Sequence, residues 1–225
     1  MEIRPIGGCF AAEVLDVQLA TVGGDAFEAI EQAFYDHSVL VFHDQQLNEE
    51  EHAAFSRRFG DLEMTMVNDP SGGETEFACM RAAYETLSDE ERDAIENLVV
   101  EHDIAFSRAT IDPNMLSDAF RKEVPPQLQS LVRMIPETGR KTFYAGAHAA
   151  RVAGWPEKRS RALIDKLNAL ATKPEFVYQH KWAVNDLVMW DNRCCLHRGR
   201  AWDGSKFRRV MRRTTIAGDG PTVSR

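Results

Sequence analysis

The stretch from Glu175 to Ile216, EFVYQHKWAVNDLVMWDNRCCLHRGRAWDGSKFRRVMRRTTI, constrains this chain more than any other. An apolar run, Asp186-Leu187-Val188-Met189-Trp190, reads as a strand. A polar turn then leads to His197, and a second strand would carry Arg208, Arg209, Arg212 and Arg213. Side chains alternate across a strand, so Arg209, Met211 and Arg213 would share one face and Arg208, Val210 and Arg212 the other. An imidazole followed by two guanidiniums on one face suits a site for a metal and small carboxylates, because arginine forks match carboxylates in bidentate fashion. The same residues also suit a core strand with one satisfied histidine and a solvated basic face. Spacing alone leaves both readings open.

A chain of 225 residues can bury a core without disulfide staples and is expected to form one domain. Its net charge of −8 argues against a nucleic-acid binder as a whole while leaving room for a local basic pocket. No apolar run approaches membrane-spanning length, and the opening MEIRPIGG lacks the charged-then-apolar pattern of a secretory signal. Cys9, Cys79, Cys194 and Cys195 show no CxxC spacing, which disfavours zinc and fits reduced thiols in a cytoplasm.

Along the chain, Phe27, Ile30 and Phe34 mark one face of a helix over 25–37, and Ser38–Phe42 reads as a buried strand. His43 and Asp44 fall at that strand's exit, where adjacent side chains point apart and cannot easily share a metal. Asn48 caps a helix with Glu49, Glu50 and Glu51 in its first turn and Gly60 beyond its end. Pro70, Gly72 and Gly73 make a turn before a strand over 75–80. Ser88 and Glu91 form a capping box opening a helix through Val100. Residues 112–129 read as an irregular surface excursion. Strands over 131–136 and 141–147 flank a turn, and 157–171 is an amphipathic helix with Leu163, Ile164, Leu167 and Leu170 inward. The pattern fits a β-rich α+β protein with helices outside a sandwich or barrel.

The words WDNR, LHRG and RRVMRR, together with GGETEF, MRAAY and GAHA, resemble the taurine dioxygenase and 2,4-dichlorophenoxyacetate dioxygenase family, nearest its aryloxyacetate branch. The resemblance runs along most of the chain. It implies a double-stranded β-helix (jelly-roll) with flanking helices, and Fe(II)- and 2-oxoglutarate-dependent hydroxylation of a small carboxylate by O₂. An aryloxyacetate would yield a phenol and glyoxylate beside succinate and CO₂. Taurine or another sulfonate or organic acid is the alternative substrate. Family members form dimers or larger homo-oligomers.

The resemblance also assigns residues. His197, in CLHRG, takes the place of the family's third iron ligand. Arg209, twelve residues on, matches the arginine for the distal carboxylate of 2-oxoglutarate, with a one-place ambiguity towards Arg208. Thr75 matches a threonine that hydrogen-bonds the same co-substrate, though an ordinary strand threonine is the rival reading. Arg213 and His148 match substrate-carboxylate contacts. Trp190 and Asn192 are expected to pack and turn the chain in support of His197.

One family feature is missing. The first two iron ligands come from a His-x-Asp pair, and none of the seven histidines here is followed two places on by Asp or Glu. In the family the pair lies between stretches matching Phe59–Glu63 and Pro70–Phe77, which only Met64–Asp69 separates here. Residues 1–225 thus read as a single dioxygenase domain with a family segment missing between 63 and 70. Either the protein carries a segment that this sequence omits, or the deletion is real and leaves an anion-binding remnant, or other residues supply ligands. The wording kept on both sides favours the first.

Overall fold

The computed structural model describes all residues except 9, 64–72, 113–115, 118–121, 202, 204, 206–209, 219, 221 and 224–225. In chain order the elements begin with β1 (Glu2–Ile6), β2 (Ala11–Leu15), α1 (Gly24–His37), β3 (Val39–Phe42), α2 (Glu49–Arg57) and β4 (Thr75–Cys79). Next come α3 (Met80–Glu85), α4 (Asp89–Ile95), β5 (Val99–His102), α5 (Ile104–Ala109), β6 (Gln127–Ser130), β7 (Val132–Ile135), β8 (Arg140–Phe143) and β9 (Ala149–Val152). The last are α6 (Glu157–Ala171), β10 (Val177–His180), β11 (Leu187–Trp190) and β12 (Cys195–Gly199). The result is a β-rich α+β protein built of several small sheets. Its described residues fall into two compact units, Met1–Ala78 with Glu175–Gly220, and Cys79–Pro174 with Pro221–Arg225.

In the first unit, β1, β2, β3 and β11 form one sheet in that order, and β10, β4 and β12 form another. β2 and β3 run parallel, with α1 as the connection, while β11 returns antiparallel with Trp190 opposite Val39. Every residue of β3 is buried, as its uninterrupted Val-Leu-Val-Phe run requires. Beneath it Phe27 and Ile30 of α1 and Phe55 of α2 join Leu40 and Phe42 in one apolar cluster. Phe59 closes that cluster, its ring 4.9 Å from Phe27. Helix α1 ends where Ser38 turns left-handed at φ 68° and donates to the Phe34 carbonyl. The expected Asn48 cap on α2 is a full capping box.

In the second unit, β6, β5 and β9 form a three-stranded sheet, and β7 and β8 a hairpin turning at Gly139, φ +65°. Ser88 makes the expected capping box, but α4 stops at Ile95. Val99 and Val100 belong to β5 instead of prolonging the helix, because two β-branched residues pack well between strands β6 and β9. The end of the expected irregular excursion, 127–129, instead belongs to the edge strand β6. Helix α6 covers the expected span, burying Ile164 and Leu167, with Leu163 and Leu170 half-buried.

The motif stretch departs from expectation at its end. His197 does not close a turn; it sits inside β12, and the turn is confined to Asn192–Cys194. The second strand expected to carry the arginines does not form over its described part, Val210–Thr215, which is outside every ladder. With arginine on both faces the segment has no apolar side to bury, so it lies along α2 by other means. Thr214 Oγ1 is 2.7 Å from Ser56 Oγ, Glu63 donates to the Thr215 carbonyl at 2.7 Å, and Ile216 bridges Leu62.

Candidate active site

Alternation and register define one face of the β10–β4–β12 sheet. Arg198 of β12 donates to Glu76 of β4 at 2.6 Å, so these two share a face, and their neighbours His197, Thr75 and Phe77 share the other. Tyr178 and His180 lie opposite Phe77 and Thr75 in the β10–β4 pairing and join that second face. The sheet thus brings two of the expected site residues, His197 and Thr75, onto one surface. Trp190 of β11 packs there, its ring 5.5 Å from Phe77 and 5.1 Å from His197. Its indole donates to Asn192 Oδ1 at 2.8 Å, and Asp191 pins the turn by accepting from the Arg193 amide and guanidinium. The WDNR motif is therefore a brace that fixes the ring standing against His197. Gly73, at φ +82°, lets β4 begin here, since a Cβ at that position would strike the Arg200 carbonyl.

Thr75 is half-buried, and its Oγ1 accepts from the Trp182 indole at 3.0 Å. Arg213 is exposed and has no acidic partner among the described residues, whereas Arg212 lies 3.6 Å from Glu49. Arg209 and its alternative Arg208 lie outside the described residues. His148 belongs to the second unit, between β8 and β9. Its Nδ1 is 2.7 Å from Ser107 Oγ, and its carbonyl accepts from the Asp103 amide. Surrounding protein lowers its pKa, and Arg108 adds to the effect, although part of the residue reaches solvent.

A polar network beside Thr75 was not anticipated from the sequence. The Asp186 side chain, 1% exposed, accepts from His43 Nδ1 at 2.7 Å, His180 Nε2 at 3.0 Å and the Ala183 amide at 2.8 Å. Burial pulls the His43 pKa down, but Asp186 and Glu13 together outweigh it and raise the pKa. For His180 burial wins over Asp186 and lowers the pKa, so its Nδ1 accepts from the Tyr178 hydroxyl at 3.1 Å. Burial, with the charges of Glu13 and Asp186, pushes Tyr178 up to about 12. Buried Gln45 ties the network's loop, donating to the Val17 and His43 carbonyls. The available signal was the same-face pair Tyr178 and His180 two residues from Trp182, which flags a polar strand end.

The metal expected from the resemblance is only partly provided for. All seven histidines are among the described residues, yet no group of three or more His, Cys, Asp or Glu side chains there could hold a metal ion. The resemblance expects His197 as one ligand, and the described residues offer no partners that would complete such a set.

The family model for "Taurine catabolism dioxygenase TauD, TfdA family" matches residues 2–69 and 64–215, its two stretches overlapping at 64–69. The chain is 34% identical over 277 residues to the alpha-ketoglutarate-dependent 2,4-dichlorophenoxyacetate dioxygenase of Cupriavidus pinatubonensis, covering 95% of this chain and 96% of that one. It is 31% identical to the (S)-phenoxypropionate/alpha-ketoglutarate-dioxygenase of Sphingobium herbicidovorans, over 97% and 95% of the two chains. The crystal structure of AAD-2, in complex with Mn(II) and N-oxalylglycine, superposes with a TM-score of 0.91 at 38% identity over 100% of both chains. The chain belongs to the taurine catabolism dioxygenase TauD, TfdA family.

Proposed function

We propose that this chain is an Fe(II)- and 2-oxoglutarate-dependent dioxygenase acting on a small aryloxyacetate-like carboxylate. The observation that carries the reading is the shared sheet face of His197 and Thr75, braced by Trp190. The names of the relatives, dioxygenases of 2,4-dichlorophenoxyacetate and (S)-phenoxypropionate, support this substrate class. Thr75 would donate to a 2-oxoglutarate carboxylate, and Arg209 would hold the distal one. Arg213 and His148 would grip the substrate carboxylate, presenting the adjacent CH₂ for hydroxylation. One oxygen atom of O₂ enters that carbon and the other enters succinate as CO₂ leaves. The resulting hemiacetal breaks its ether bond to give the phenol and glyoxylate. His197 takes the role of a metal ligand.

The same reading takes 1–225 as one jelly-roll dioxygenase domain lacking a segment between 63 and 70, working as a cytoplasmic homo-oligomer. An alignment of 277 residues against a chain of 225 supports the missing segment. Among the described residues no helix is long and apolar enough to cross a membrane. The incomplete ligand set favours a second reading, an anion-binding remnant without chemistry. Supplying the protein with Fe(II), 2-oxoglutarate, O₂ and either 2,4-dichlorophenoxyacetate or taurine distinguishes them. Phenol and succinate in equal amounts are expected. Sulfite from taurine alone would move the substrate class to sulfonates, and no succinate with any acid would leave the remnant.

A further inference from the structure

We propose that Trp182 is a positioning residue that sets the direction of the Thr75 hydroxyl proton, an assignment resting on the reading of Thr75 as a co-substrate contact. An indole N–H can only donate, so the 3.0 Å contact makes Thr75 Oγ1 the acceptor. One lone pair of the hydroxyl is thereby taken, and its proton turns away from the indole. Among the described residues that proton meets no acceptor. A carboxylate accepts only, so a hydroxyl already turned outward is matched to it in advance. Without the indole the hydroxyl is free to rotate and satisfy nearby backbone groups, as threonine side chains do.

Trp182 is itself held in place. It lies two residues beyond His180, which pairs with Thr75 in the β10–β4 register. The His180 ring stands edge-on to the indole at 4.7 Å and 89°. His180 is fixed in turn by Asp186 and Tyr178. A chain of contacts therefore runs from a buried carboxylate through His180 and Trp182 to the hydroxyl.

The test is a double-mutant cycle on 2-oxoglutarate binding, measured by calorimetry with Mn(II) present so that no turnover occurs. Thr75→Val and Trp182→Phe should each weaken binding about five- to tenfold, the scale of one hydrogen bond. The double variant should bind no more weakly than Thr75→Val alone. Unchanged affinity in Thr75→Val would remove the reading of Thr75 itself. A loss there, with no loss in Trp182→Phe or with losses that multiply in the double variant, would overturn the role of Trp182 only. A second measurement needs no substitution. The Trp182 indole N–H resonance should shift when 2-oxoglutarate is added, and a resonance that stays put would overturn the proposal.

Discussion

His43 and His102 both stand at the ends of fully or partly buried strands, one in each compact unit, and the protein treats them in opposite ways. His43 faces Asp186 and Glu13, and its pKa is raised although burial opposes it. His102 stacks on Tyr144 at 4.7 Å with Arg133 on that ring at 3.7 Å, and its Nε2 is buried with no hydrogen-bond partner among the described residues. Burial, then Arg133 and His148, lower its pKa to about 4. Burial acts against the charged form in both places, so the sign of the neighbouring charge decides the state.

Breaking the acidic side of that comparison should have the largest effect. Asp186→Ala strands three donors around a buried site and should cost about 3–5 kcal/mol in urea unfolding, because removing one partner of a buried charged network leaves the others unsatisfied. The His43 pKa should fall in the same variant, read by proton NMR in whatever fraction remains folded.

The basic side predicts a pH dependence of opposite sign. As pH falls below about 6.5 the unfolded chain takes up the His102 proton first, and the folded chain follows only near pH 4. Stability from this group is therefore complete above about pH 6.5 and declines through that window, by on the order of 3 kcal/mol, and His102→Gln should flatten the decline. His43 works in reverse: its contribution is complete below the unfolded pKa and is lost as pH rises through the raised folded value. Being partly exposed, it should add the smaller slope.

The smallest expected effects are matched ones. Asn48 and Ser88 make the same capping box, one in each unit, so Asn48→Ala and Ser88→Ala should each cost about 1 kcal/mol. A loss confined to one variant would mean that the two helices contribute unequally to the cooperative core.

Elements set by local chemistry were legible in the sequence. α1, α2 and α6 follow from apolar spacing and caps, and the hairpin of β7 and β8 from its turn. β1 and β2 were not anticipated, because Glu2–Ile6 is mostly exposed and gains its form only by pairing with β2. β5 was hidden inside a helix continuation, since Val99 and Val100 are decided by partners distant in sequence. Family wording pointed to His197, Thr75, Arg213 and His148, and the sheet register brings the first two onto one face. The Asp186 network was not legible, because its members come from positions 13, 43, 178, 180 and 186, united only by folding.

Whether His197 still serves a working metal centre is read most plainly from Fe(II) stoichiometry. One Fe(II) bound per chain is expected under anaerobic dialysis, lost in His197→Ala while 2-oxoglutarate binding persists. Wild-type protein that binds 2-oxoglutarate and retains no Fe(II) would contradict it, and would identify an anion-binding remnant of a dioxygenase.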